Sequence, residues 1–301
     1  MGVVFRPILP SDYEIVRRLD NLSFKKGECY RSVENVTNLA MANPDGCFLA
    51  INNCRPVGFI FCRTFGAIGY MGPLGVEPEE QNKGYGKQLV QKGLEYLTAR
   101  KCQVIGLETM PEWGKNIGLY HKLGFRATLP SRVMEKLMPG CTVDKIPSSL
   151  RFGNDFSPDV FSGIIAEIKE WTDLIYPGLD FSKDLQCFLQ SYPERILFRV
   201  YKGKITGFIA FAPDFNRYGW GAIKPSANDD VHLGELLSGV ENANWGEKIM
   251  FRFHTRFNRI TDILFRYKYN LSSDMTCMLL TGKTGEFENH SKSLHLRPWV
   301  G

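Results

Sequence analysis

The sequence predicts an α/β protein built from two similar halves, each a mixed sheet flanked by helices. Three observations carry this. Strand-like runs alternate with amphipathic helical runs along the whole chain. At roughly 100 to 200 residues per domain, 301 residues fit two ordinary domains. Fragments of the first half also recur in the second at a nearly constant spacing: Val57-Gly58-Phe59-Ile60 returns as Thr206-Gly207-Phe208-Ile209, 149 residues on, and Val104-Ile105-Gly106-Leu107 pairs with Lys248-Ile249-Met250-Phe251, 144 residues on.

In order, the first half opens with a strand (3–6), and Ser11 or Asp12 is placed to cap the amphipathic run EIVRRLDNL. A polar loop and a short helix precede two strands, 47–51 and 57–63, joined by the turn 52–56. A strand ending Gly72-Pro73-Leu74-Gly75-Val76 runs through a loop into a helix whose apolar positions include Leu89, Val90, Leu94 and Leu97. A strand (104–109), a helix (116–123) and a closing strand (132–137) complete the half. The boundary is expected within 138–149, which holds Pro139, Gly140 and Pro147, giving domains over 1–140 and 150–301.

Composition narrows the function classes. The net charge is +5, and residues 1–150, with 19 Lys or Arg against 14 Asp or Glu, carry all of it. That excess, without basic runs, argues against a nucleic-acid or membrane-surface binder but suits one polyanionic small molecule. No apolar run approaches the roughly 18 residues a membrane span needs, and Pro7 and Pro10 interrupt what a signal peptide would require. The eight cysteines form no C-x-x-C pair or framework spacing, and Cys62 reads as core. Reduced thiols in a cytoplasmic protein without a metal are expected.

The segment from Leu74 to Leu89 carries the most chemistry. A strand enters a loop with Gly84 and Gly86, which opens directly into a helix, so several N–H groups converge where the helix dipole adds positive charge. This is a pyrophosphate cradle. It is neither a Walker A loop nor a dinucleotide fingerprint, since Leu89 stands where the third glycine belongs. Gln81-x-x-Gly84-x-Gly86 after the L-G-V-x-P strand end resembles the acetyl-CoA loop, Q/R-x-x-G-x-G/A, of the GCN5-related N-acetyltransferases (GNAT). Farther on, Asn116-x-x-x-Tyr120 followed by Leu123-Gly124-Phe125 resembles that family's second motif.

The resemblance implies two tandem folds of this family, each with a mixed, mostly antiparallel sheet, and direct transfer of an acetyl group from acetyl-CoA to an amine. It implies that Leu74 and Val76 flank the pantetheine arm, with Val76 N–H stabilising the oxyanion and a bulge near Gly75 opening the sheet. Gln81, Asn82, Lys83, Gly84, Tyr85, Gly86 and Lys87 hold the pyrophosphate, Asn116 contacts the arm, and Tyr120 protonates the leaving thiolate. The family's usual Glu or His before the Val76 position is missing: Tyr70, Met71 and Gly72 stand there. Glu108 is the best carboxylate by position for the base, with Tyr70 and Glu28 behind it.

In the second half, the stretch from Gly221 to Val231 lacks the glycine pattern and carries Asp229 and Asp230. Leu264 or Phe265 stands where Tyr120 would be. This half is expected to have lost the coenzyme and to serve as structure and as a wall of the acceptor site, with Trp171, Tyr176, Trp220 and Trp245 as core or wall. The expected activity is N-acetylation of a small-molecule, polyamine or amino-acid-like amine by a monomer or homodimer that binds neither nucleic acid nor membrane. The alternatives are a non-catalytic acyl-CoA-binding sensor, or an acyltransferase for protein lysines or longer chains. Acceptor contacts would come from loops, chiefly 22–38.

Overall fold

The computed structural model describes residues 2–24, 31–138, 145–212, 218–226, 228–243, 245–280 and 295–296, the last two as backbone only. The elements of the first half are β1 (Val4–Pro7), α1 (Tyr13–Phe24), α2 (Val33–Met41), β2 (Cys47–Asn52), β3 (Arg55–Phe65), β4 (Ile68–Val76), α3 (Tyr85–Ala99), β5 (Val104–Thr109), α4 (Gly114–Lys122), β6 (Phe125–Ala127) and β7 (Ser131–Leu137). There follow β8 (Leu150–Phe152), α5 (Phe161–Ile175), α6 (Ser182–Ser191), β9 (Ile196–Tyr201), β10 (Lys204–Ala210), β11 (Tyr218–Ile223), α7 (Asp229–Ala243), β12 (Lys248–His254), α8 (Asn258–Arg266), β13 (Asn270–Leu280) and β14 (His295–Leu296). Among the described residues no helix is long and apolar enough to cross a membrane.

Two compact units result. The first contains the chain up to Arg126 together with Met278–Leu280, and the second runs from Ala127 to Cys277 and includes β14. In the first, β1, β2, β3 and β4 pair antiparallel in that order, and β5 joins β4 in parallel. One face buries Leu89, Val90 and Leu97 of α3 with Tyr120 of α4 against Ile60, Ile105 and Leu107. The other buries Val16, Leu19, Val36 and Leu39 of α1 and α2 against Leu49, Phe59 and Phe61. Helical and strand periodicity thus meet on both faces of one sheet, which is what a mixed α/β layer requires.

The second unit repeats this order: β8, β9, β10 and β11 pair antiparallel, and β12 joins β11 in parallel. Its core gathers Leu233, Leu236, Leu237 and Val240 of α7 with Ile260, Ile263 and Leu264 of α8. The hairpin turns correspond as well. Asn53 and Cys54 have φ of 48° and 62°, Lys202 and Gly203 φ of 48° and 75°, so both loops have the two left-handed residues that suit right-twisted strands.

Two local expectations change. Asp12 does not cap α1. Its carboxylate turns back to accept the Leu9 N–H at 2.8 Å and pairs with Arg6 at 2.6 Å, and this pairing holds the Asp12 carboxyl below its usual range. The strand expected to close the first half, β7, pairs instead with β12 and β13 in the second unit. The first unit takes the end of β13 in its place, burying Met278 in its core. Turn and strand propensities are local, but the choice of partner strand is not.

Candidate functional site

The site begins with a break in strand pairing. Between the pairs Ile60↔Leu74 and Cys62↔Met71, β4 spends one more residue than β3. This bulge lies at Gly72-Pro73 and not at Gly75. Pro73 has no N–H for a ladder, and Gly72 adopts φ of 143°, a conformation side chains rarely take. Gly75 is glycine for a different reason: a Cβ there would lie 2.5 Å from the Phe59 ring and 2.8 Å from Ser23 Oγ.

Pairing of β4 with β5 ends at Met71↔Leu107, so among the described residues the last residues of β4 have no strand partner on that side. Glu77 N–H donates to the Val57 carbonyl at 2.9 Å, and antiparallel ladders alternate. Leu74 and Val76 therefore turn their N–H and carbonyl groups away from β3, toward the open side. In agreement, the Val76 carbonyl accepts from Gln81 Nε2 at 3.1 Å.

The chain next passes left-handed Asn82 and Gly84, with φ of 65° and 86°, into α3. The first intrahelical bond is that of Gln88 N–H to the Gly84 carbonyl at 3.1 Å, so the N–H groups of Tyr85, Gly86 and Lys87 lie ahead of the ladder and face outward. No acidic residue sits in this first turn. A Cβ at Gly86 would touch only Val76 and Leu119, at 3.8 and 3.9 Å, so packing does not demand glycine there and the space stays open. Helix dipole, outward N–H groups and free volume together make an anion-accepting terminus.

The lysines divide. Lys83 Nζ lies 3.0 Å from Glu80, which Arg55 also holds at 2.8 Å while pairing with Glu77. The Lys83 hydrogen bond and the neighbouring Arg55 charge keep the Glu80 carboxyl below its ordinary range. Lys83 is therefore engaged by the acidic lip, while Lys87 is exposed with no ion pair among the described residues. Sequence reasoning missed Lys115. It lies in the first turn of α4 and donates to Gln81 Oε1 at 3.2 Å, so Gln81 links the β4 end to α4. Nothing in the linear pattern signals this, because α4 reaches the loop only through the fold.

Tyr120 lies in α4, 7% exposed, with its ring edge-on to Phe125 at 6.2 Å. Burial pushes its hydroxyl up to about 12, so it stays protonated across the physiological range. Asn116 is half-buried on the same helix, its N–H donating to the Trp113 carbonyl at 2.9 Å. Trp113 in turn stacks on Phe24 at 5.8 Å. Glu108 is half-buried on β5, one residue past the last pair with β4.

Beside Glu108, Thr109 is a second residue the sequence did not single out. It is buried, its hydroxyl has no hydrogen-bond partner among the described residues, and it shares the face of β5 with Ile105 and Leu107. Tyr70 is buried, its ring 3.4 Å from where a Gly72 Cβ would stand. Glu28 and most of the loop ahead of Arg31 lie outside the described residues. Arg31 itself is fully buried, 3.2 Å from Asp20 and 2.8 Å from Asn35 Oδ1. Cys62 is buried and its thiol is raised well above its usual value by burial, which makes it a poor nucleophile. Among the described residues no group of His, Cys, Asp or Glu could hold a metal ion.

In the second unit Trp171, Tyr176 and Trp220 are buried, and Trp245 packs on the core. Leu264 is also core, whereas Phe265 is exposed on α8.

Residues 13–125 match the model of the Acetyltransferase (GNAT) family. A curated mycothiol acetyltransferase of Acidothermus cellulolyticus is 32% identical over 100 residues, 28% of this chain and 31% of that protein, so the match spans under a third of the relative's length. A solved GCN5-related N-acetyltransferase of Sphaerobacter thermophilus superposes with a TM-score of 0.61 at 17% identity, covering 92% of this chain and 95% of the other. A Pyrococcus horikoshii protein gives 0.63 at 19% identity over 93% and 89%. At such identities these two likenesses establish the fold.

Proposed function

We propose, on the premise that residues 13–125 form a domain of the acetyltransferase (GNAT) family, that the protein moves an acetyl group from acetyl-CoA directly to a primary amine of a small-molecule, polyamine or amino-acid-like acceptor. One observation carries the reading. The outward backbone groups of Leu74 and Val76 run straight into the free N–H groups of Tyr85, Gly86 and Lys87, an extended-strand acceptor ending in an anion cradle. An acyl-CoA has that shape: an amide-bearing arm ending in a pyrophosphate.

Acetyl-CoA supplies an activated thioester; the remaining work falls to the chain. Val76 N–H, turned to the open side of β4, donates to the acyl oxygen as charge develops there. Tyr120, held neutral by burial, gives its proton to the departing thiolate. The amine attacks directly, as the likeness to the family implies, and the buried Cys62 thiol takes no part. Glu108, at the end of β5, takes the amine proton. Asn82 and Gly84 set the loop, Lys87 and Lys115 add positive charge at its mouth, Asn116 orients the arm from α4, and Gln81 ties loop to helix. Lys83 supports the loop through Glu80.

Release of CoA thiol with a panel of amines tests this. Saturable turnover on at least one small amine is expected; tight acetyl-CoA binding with no turnover on any amine would sink the enzymatic reading in favour of a sensor. Competition by longer acyl-CoAs checks the donor, and lysine-bearing peptides in the panel check the acceptor class.

A further inference from the structure

The second unit breaks its parallel pairing where the first does. Among the described residues β11 and β12 are joined at Tyr218↔Met250 and Gly219↔Phe251, and no pair follows Gly219↔Phe251. Lys224 N–H donates to the Thr206 carbonyl at 3.0 Å, the counterpart of the Glu77 bond to Val57. By the same alternation Gly221 and Ile223 turn their N–H and carbonyl groups away from β10, as Leu74 and Val76 turn away from β3. In the second unit this open side is filled. β14 runs antiparallel along β11, with Leu296 opposite Gly221 and His295 opposite Ala222.

We infer that the opening between β11 and β12 is a strand-accepting groove for an extended polypeptide, and that the chain's own C-terminal segment is its resident ligand. The backbone groups of Gly221 supply the recognition, since they exchange main-chain bonds with the residue opposite them. The anion position of this unit is also taken from within: Arg259 of α8 holds Asp229 at 2.6 Å and also pairs with Asp230, at the start of α7. An acyl-CoA therefore finds neither arm site nor phosphate site here, and an extended peptide finds only its tethered copy in the way. This rests on the pairing of the second unit alone and stands whether or not the first unit uses acetyl-CoA.

The test is made on the β14 side, because a Cβ at Gly221 would lie 2.1 Å from the Phe208 carbonyl oxygen. In the full chain, Leu296→Pro removes the N–H that faces the Gly221 carbonyl. Hydrogen exchange at Gly221 should accelerate about tenfold or more, with Ala222 and Lys224, bonded to β10, unchanged. Unaltered exchange at Gly221 overturns the proposal. A chain ending at Gly285 should bind a synthetic peptide of residues 286–301 one to one and regain protection at Gly221, while the same peptide with Leu296→Pro should bind about tenfold more weakly. A folded truncated chain that ignores the peptide, or that takes up a second acetyl-CoA, also overturns it. If the truncation prevents folding, the full-chain exchange decides. Absence of any coenzyme binding by the full chain would count against the proposed function and leave this groove untouched.

Discussion

Two helix N-termini occupy equivalent places in the two units and have opposite chemistry. α3 starts from left-handed Gly84, has no acid in its first turn and leaves the N–H groups of Tyr85, Gly86 and Lys87 outward. α7 starts on Asp229 and Asp230, and Arg259 closes over both. The same topology therefore gives outward N–H groups with no acid beside them in one unit and a self-neutralised terminus in the other. The two carboxylates supply internally the negative charge that a helix N-terminus would otherwise take from a ligand, and the arginine pairs with both.

The largest effect that would break this contrast is expected from Gly84→Asp. It places a side chain at φ of 86° and a negative charge where the anion should lie, making the first terminus resemble the second. Acetyl-CoA affinity by calorimetry should fall about a hundredfold or more with the melting temperature nearly kept; unchanged affinity would mean that the cradle is elsewhere.

Next, Tyr120→Phe should lower kcat about a hundredfold with little change in KM for acetyl-CoA, read from CoA release. A hydroxyl raised to about 12 remains a proton donor, so no alkaline fall in kcat between pH 7 and 10 should trace to it. In stability the sign is the same: burial favours the neutral phenol, so its contribution is intact below pH 10, where unfolded tyrosine begins to ionise, and is lost as pH rises toward about 12.

On the other side of the contrast, Arg259→Ala leaves a buried Asp229 carboxylate without its cation. Because half of Arg259 faces solvent, the loss in a urea titration should be modest, about 1 to 2 kcal/mol, with acetyl-CoA turnover unchanged. The smallest effect is expected from Lys115→Ala, which frees Gln81 from α4 and should raise KM for acetyl-CoA about two- to fivefold, less in high salt.

The legible parts of the site were those written in contiguous residues. Gly84, Gly86 and the helix behind them act through their own backbone, so spacing alone reveals them. The same holds for the Asn116 to Tyr120 helix and for the aspartates of α7. Lys115 and the strap formed by Gln81 were illegible because they depend on an element brought in from elsewhere: Lys115 meets Gln81 across 34 residues of chain. The bulge was expected three residues too late. Gly75 reads as a bulge glycine, but the ring of Phe59, on a neighbouring strand, is what keeps it bare.

By itself the sequence determined the α/β alternation, the recurrence of strand fragments between the halves, the turns, the glycine loop that opens α3 and the neutral charge of the second half. Each follows from residue periodicity, from φ preference or from charge within one segment. Only the tertiary structure decided that β7 serves the second unit and the end of β13 the first, that Lys83 belongs to the acidic lip, and that β14 fills the second opening. Partner choice between strands carries no local signal: any extended segment offers the same alternating donors and acceptors, and burial and geometry far along the chain select which one is taken.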